Sequence, residues 1–160
     1  MNLILLRHGK AEDHHADGDF SRALVEKGRK QARRAAKLLK AAGALPDIVL
    51  TSPLVRARQT AEEFCQTSGI PGATIQGWLA CGMTPQTAMS ELAAFHDFKS
   101  VAIVGHEPDF SELIQWVLGA NGGSIEVKKG ALACLQVNPP AQRGTLVYLI
   151  PPMLAKNVEA

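Results

Sequence analysis

A chain of 160 residues, 46% of them apolar, is long enough to bury a full hydrophobic core and is expected to form a single domain over 1–160. The formal net charge of +2 is too small to imply a polyanionic partner by itself, and two tryptophans and one tyrosine, not interleaved with the basic residues, argue against nucleic acid. Cys65, Cys81 and Cys134 are odd in number and lack a Cys-x-x-Cys pattern, which argues against a disulfide framework or a thiolate zinc site.

The first apolar run, Leu3 to Leu6, ends abruptly in Arg7, His8 and Gly9. It is too short for a signal peptide or a membrane span, so a cytoplasmic location is expected, with no membrane. It reads as a buried strand that delivers two polar side chains at its end, where they are costly unless something satisfies them. A helix is predicted from Leu24 to about Ala42, with Gly28, Ala32, Ala35, Leu39 and Ala42 along one face, ended by Gly43 and Pro46. Ile48 to Thr51 is a short strand. Ser52 then supplies an N-cap, and Pro53 the first position of a helix to about Ser68 with Ala57, Ala61, Phe64 and Cys65 inward.

Gly72 to Gly82 carries a weak strand signal, and Thr84 to Phe95 a helix through Ala88, Leu92 and Phe95. Val101 to Val104 is a strand running into Gly105 and His106. A helix from about Asp109 to Leu118 follows, with Asp109 and Glu112 at capping-box spacing. Ala131 to Val137 and Leu146 to Ile150, joined by Pro139 to Gly144, are two final strands, and a tail or short helix follows Pro152. Apolar runs alternating with helical patterns predict an α/β fold: a three-layer α/β/α sandwich on a mostly parallel sheet, with an antiparallel edge strand.

In such a sheet ligands bind beyond the carboxyl ends of the strands, where Arg7, His8, Arg56 and His106 are expected to converge. An imidazole there can act as a nucleophile, and a guanidinium can grip a phosphoryl group with two donors. The start of the helix near Ser52 and Pro53 adds a favourable potential for an anion. Arg58 reads as a surface residue. His14 and His15, beside Asp13 and Asp17, are too close in sequence to chelate one ion well, so that stretch reads as a polar loop and no metal is assigned. Lys27, Arg29, Lys30, Arg33, Arg34, Lys37 and Lys40 form a solvated basic face, with docking of an acidic protein as the alternative. Lys128 and Lys129 either reach the phosphate pocket from the side or form a surface turn.

The Arg7-His8-Gly9 triplet, the segment Ser52-Pro53-Leu54-Val55-Arg56-Ala57-Arg58-Gln59-Thr60 and Gly105-His106, in this order and spacing, resemble the histidine phosphatase superfamily, also called phosphoglycerate-mutase-like. The short length, Arg22-Ala23-Leu24 with Gly28, and Gly105-His106-Glu107-Pro108 resemble its SixA-type phosphohistidine phosphatases. The resemblance implies that His8 is the nucleophile and becomes transiently phosphorylated. Arg7, Arg56 and His106 would be catalytic and clamp the equatorial oxygens, with Gly9 and Lys129 among the substrate-binding residues and no cofactor. Two guanidiniums and an imidazolium neutralise a phosphoryl dianion without a metal. The same charges should lower the pKa of His8, while phosphate favours the cationic form of His106.

Family members that cleave esters usually carry an acid in the middle region, and Gly77-Trp78-Leu79-Ala80 offers none; Asp17, Asp19 and Glu107 are the remaining candidates. An alkoxide leaving group needs a proton, whereas the imidazole of phosphohistidine leaves neutral if its other nitrogen is already protonated. Val25 stands where the family commonly has threonine, which removes a helix cap. About thirty residues between Ser68 and Val101 are too few for both a core element and a large lid. The expectation is a monomeric, metal-independent phosphatase acting on a phosphohistidine-bearing protein. A small phosphorylated substrate, cleaved as a phosphomonoester, is the alternative; a phosphate-binding module without turnover is the second.

Overall fold

The computed structural model describes residues 1–157. Six strands, β1 (Asn2–Arg7), β2 (Ile48–Thr51), β3 (Ala73–Ile75), β4 (Ser100–Gly105), β5 (Leu132–Val137) and β6 (Gly144–Ile150), form one sheet in the order β3-β2-β4-β1-β5-β6. Four helices cover it: α1 (Glu26–Ala41), α2 (Val55–Ser68), α3 (Pro85–Leu92) and α4 (Asp109–Leu118). Strands β1 to β4 run parallel, and β5 is antiparallel to both β1 and β6. The reversed strand is therefore second from the edge, with β6 outside it.

Both faces of the sheet are buried, which explains why the first strand is continuously apolar rather than alternating. Leu3 and Leu5 point to one face, where Leu50, Ile103, Met89, Leu92, Phe110, Leu113 and Ile114 complete a core with α3 and α4. Ile4 and Leu6 point to the other and meet Ala35, Leu39, Ala57, Ala61 and Phe64 of α1 and α2. Each fully buried leucine contributes about 1.5–3 kcal/mol. The three-layer division follows from handedness. Going outward from β1 to β2 and β3, right-handed crossovers place α1 and α2 on one face; returning from β3 to β4 places α3 on the other. Strands β1 and β4 are thus neighbours whose following helices depart to opposite faces, and this divergence opens a crevice at their carboxyl ends.

Two predicted caps are formed differently. Helix α2 begins at Val55, after Leu54, and not at Pro53. The Ser52 N–H is still committed to the sheet, donating to the Val104 carbonyl at 2.9 Å, so the chain cannot turn helical there. In α4 the capping position is Pro108, with Asp109 already in the helix. The Asp109 carboxylate instead accepts the N–H groups of Gly82 and Met83 at 3.0 and 3.1 Å, and Glu107 accepts the Ser111 N–H at 2.7 Å. Helix α1 starts at Glu26, later than predicted, because Leu24 is held in a backbone bridge to Ala11. No side chain caps it, as expected with Val25 at that position. The weak signal from Gly72 to Gly82 resolves into the short β3 and a 3-10 turn at Gly77–Leu79. After Pro151, Pro152–Ala155 forms a 3-10 turn. Among the described residues no helix is long and apolar enough to cross a membrane.

Candidate active site

The strand ends are tied to one another before any side chain is considered. His8 N–H donates to the Gly105 carbonyl at 3.0 Å, Arg7 N–H to Ala131 at 3.1 Å, and Ser52 N–H to Val104. These bonds bring His8 after β1, Ser52 after β2 and His106 after β4 to one place. The His8 and His106 rings lie 5.3 Å apart between centroids, tilted by 55°. Gly9 follows with its N–H donating to Thr60 Oγ1 at 3.1 Å, and the Thr60 hydroxyl donates to the Arg56 carbonyl at 2.7 Å. Gly9 has to be glycine because an added Cβ would stand 2.5 Å from the Gly28 carbonyl oxygen. A Cβ on Gly28 would in turn overlap the carbonyl of Lys10.

His8, Arg56 and His106 are 5%, 5% and 2% exposed, unusual for such side chains without a role. The His8 Nδ1–H donates to the Gly9 carbonyl at 2.8 Å, which selects the tautomer with an unprotonated Nε2. Arg56 Nε–H donates to that Nε2 at 3.3 Å. Burial pushes the His8 pKa down to about 3, with His106, Arg56 and Arg7 adding in the same direction against the Gly9 bond. Burial is thus a larger cause than the neighbouring charges that the sequence suggests. His106 is pushed down to about 4 by burial, with Arg56 and Arg7 adding to it. A cationic His106 therefore requires the charge of a bound phosphoryl group to offset burial.

His106 Nε2 meets Ser52 Oγ at 2.7 Å, and Ser52 Oγ also accepts the Leu54 N–H at 3.2 Å. Arg7 donates from Nη1 to the Val127 carbonyl at 2.8 Å. Among the described residues, Arg7 Nε and His106 Nδ1 are two of the four buried side-chain polar atoms with no partner. Unmet polar atoms of this kind concentrate where a ligand supplies the partner.

Asp19, offered by the sequence only as a candidate acid, and Thr60 and Cys81, given no individual role by it, belong to this assembly. Asp19 holds Arg56, its carbonyl accepting from Nη1 at 2.9 Å and its carboxylate from Nη2 at 3.2 Å. Arg22 holds Asp19 in turn at 2.9 Å, and this bond, more than Arg56, keeps the Asp19 carboxyl below the usual range. Thr60 anchors the Gly9 peptide. Cys81 places Sγ 3.7 Å from Arg56 Nη2. Of the residues around Arg56, Arg22 carries a sequence signal in Arg22-Ala23-Leu24 and Thr60 in the segment from Ser52 to Thr60.

No middle-region acid emerges. Asp19 is ionised by its arginines, Glu107 is spent on the start of α4, and Asp17 is exposed. Leu79 and Met83 are buried in the core, as are Ala88, Met89 and Leu92 of α3, so packing takes up much of the segment after Ser68. Lys129 is exposed and lines a neighbouring cleft that shares Arg7 with the histidine site. Arg58 is exposed on α2 as expected, and His15 Nδ1 accepts the Asp17 N–H at 3.0 Å.

The family described as the histidine phosphatase superfamily (branch 1) matches residues 3–79. An uncharacterized protein of Picosynechococcus sp. is 31% identical over 146 residues, covering 85% of each chain. Phosphoglycerate mutase 2 of Saccharomyces cerevisiae is 43% identical over 74 residues, which span 41% of this chain and 24% of the mutase. Among solved structures, the protein histidine phosphatase SixA complexed with tungstate superposes with a TM-score of 0.87 at 25% identity, covering 96% of this chain and 99% of that one. With its paired histidines at the ends of β1 and β4 and these likenesses along most of its length, the chain belongs to the histidine phosphatase superfamily.

Proposed function

We propose that this histidine phosphatase removes phosphate from phosphohistidine in proteins, through a phosphorylated His8 and without a metal. The observation that carries the reading is the state of His8: neutral, its Nδ1 proton committed to Gly9, and its unprotonated Nε2 held only by the Arg56 Nε–H at 3.3 Å, a contact that must yield when Nε2 attacks. Nε2 attacks phosphorus, the substrate P–N bond breaks, and the substrate imidazole departs with the electron pair. It leaves neutral when its other nitrogen already carries a proton. Water then attacks phospho-His8, phosphate is released, and His8 is regenerated.

Arg7, Arg56 and His106 hold the three equatorial oxygens through donors aimed at charge that develops in the transition state. Arg7 Nε and His106 Nδ1 are the donors still unmatched. Arg56 must exchange Asp19 for phosphate oxygens, a replacement favoured by the greater charge of a phosphoryl dianion. Two observations support a protein substrate over a small ester. None of the three acids offered by the sequence, Asp17, Asp19 and Glu107, is placed to protonate an alkoxide, and the apolar residues after Ser68 are largely spent in the core. The likeness to the protein histidine phosphatase SixA supports the same choice.

The test compares free and protein-bound phosphohistidine with a panel of sugar phosphates. We expect kcat/KM for protein phosphohistidine to exceed that for any sugar phosphate by about a hundredfold or more, equivalent to ~2.7 kcal/mol. His8→Ala should lose several orders of magnitude, and acid-free quenching of the wild type should trap phosphate on His8. Comparable efficiency on a sugar phosphate would make the enzyme a phosphomonoesterase. Phosphate binding without turnover on any substrate would make it a binding module.

A further inference from the structure

Arg7 is shared between the histidine site and a cleft of about 590 Å³. Lys10, Lys27, Arg34, Lys128, Lys129 and Lys156 line this cleft with it, against one carboxylate, Glu126. The chain as a whole carries only +2, so its excess positive charge is concentrated beside the nucleophile. Helix α1 shows the asymmetry directly. Arg29 and Arg33 turn toward α2 and are each held by Glu63 at 2.8 Å. Lys27 and Arg34 on the cleft side have no ion pair, nor do the other four cations lining the cleft with Arg7, among the described residues. Unpaired like charges repel one another, and a fold that gathers them stores an attraction for an anionic partner.

The character of the cations indicates what that partner is. Lysine ammoniums are hydrated point charges on flexible stems, suited to meeting carboxylates over a range of positions. The lysines, drawn from separate stretches of chain and spread around an open cleft, match several carboxylates spread over a protein surface better than one compact anion. The wall formed by Pro152 and Met153, the latter 63% exposed, offers apolar contact within the same cleft. We propose that this cleft docks an acidic face of the phosphoprotein substrate, gripping carboxylates that flank the phosphohistidine while the phosphoryl group reaches His8. The proposal rests on the phosphohistidine reading above.

The test uses a helical-bundle protein with one surface histidine, phosphorylated by phosphoramidate, in two versions whose surface around that histidine is acidic or neutral. At low ionic strength the wild-type enzyme should favour the acidic version by about tenfold or more in kcat/KM, and rising salt should erase the preference. Lys27→Glu/Arg34→Glu should remove the preference while kcat/KM on free phosphohistidine stays within about twofold. The salt dependence of the wild type on the acidic bundle against free phosphohistidine tests the same attraction without a variant: a steeper fall on the bundle is expected, and equal slopes would overturn the docking site. Equal kcat/KM for the two bundles, or a preference that survives the double substitution, also overturns it and leaves the phosphohistidine reading standing. Turnover of a sugar phosphate with neither bundle cleaved overturns both.

Discussion

Thr60 is buried at 0% exposure, and it secures the proposed nucleophile, His8, through Gly9. Its hydroxyl oxygen accepts the Gly9 N–H at 3.1 Å, and the Gly9 carbonyl holds the His8 Nδ1 proton at 2.8 Å. Thr60→Val keeps the shape and deletes the acceptor, so no cavity forms. The Arg56 carbonyl lies inside α2 and keeps its main-chain partner, which leaves the Gly9 N–H as the orphaned group. Leaving one buried donor unsatisfied costs about 1–3 kcal/mol of stability. The Gly9 peptide, freed on one side, no longer fixes the imidazole, and a misplacement of this kind costs roughly ten- to a hundredfold in kcat. Urea unfolding and steady-state hydrolysis of phosphohistidine measure the two effects, and Thr60→Ser, which retains the acceptor, should recover most of both. Wild-type kcat in Thr60→Val with a stability loss below about 0.5 kcal/mol would refute the reasoning.

Acid should destabilise the fold through its own site. His8 and His106 titrate near 6.5 when unfolded but are held at about 3 and about 4 when folded, so below pH 6.5 the unfolded chain binds more protons and stability falls as pH drops. Between pH 7 and pH 5 the two together should cost about 3 to 4 kcal/mol, read from urea midpoints; a flat profile contradicts the buried neutral histidines. Arg56→Lys keeps a positive charge but loses the bonds from Nε, Nη1 and Nη2, so kcat should fall by about a hundredfold or more, while chelators leave the wild-type rate unchanged. A rate abolished by a chelator and restored by zinc or magnesium would redirect attention to His14 and His15. Alkylation of the exposed Cys81, whose sulfur lies 3.7 Å from Arg56, should block activity, and Cys81→Ser should be immune; equal sensitivity of the two proteins would place the reactive thiol elsewhere.

Much of the architecture was legible because burial on both faces leaves an unmistakable mark. Leu3 to Leu6 has no polar interruption, and the helices show apolar residues at helical spacing. The convergence of Arg7, His8 and His106 followed from strand ends, and that of Arg56 from the first turn of the helix after β2. What escaped were polar groups whose distant partner no motif marks. Ser52 looked like a cap by its neighbours, but Val104 and His106, more than 50 residues away, claim it. Asp109 had capping-box spacing and was drawn to Gly82 and Met83 instead. Asp19 sits in unremarkable local sequence, and only the fold brings the turn at Asp19–Ser21 to Arg56 and Thr60 of α2 to Gly9. Local patterns report what a side chain is able to bond, while the fold decides which of its options is within reach.

The contact between Gly9 and Gly28 has a consequence for how such an enzyme can change. The turn bearing the nucleophile is pressed against α1 main chain to main chain, with no side chain between them to be swapped for a larger or smaller one. Helix α1 is thereby a fixed anvil at Gly28, while Lys27 and Arg34 of the same helix line the cleft. One helix thus backs the His8 turn through Gly28 and lines the cleft through Lys27 and Arg34. Under the proposed docking, surface substitutions on α1 would exchange one acidic partner for another while the Gly9–Gly28 contact stays as it is.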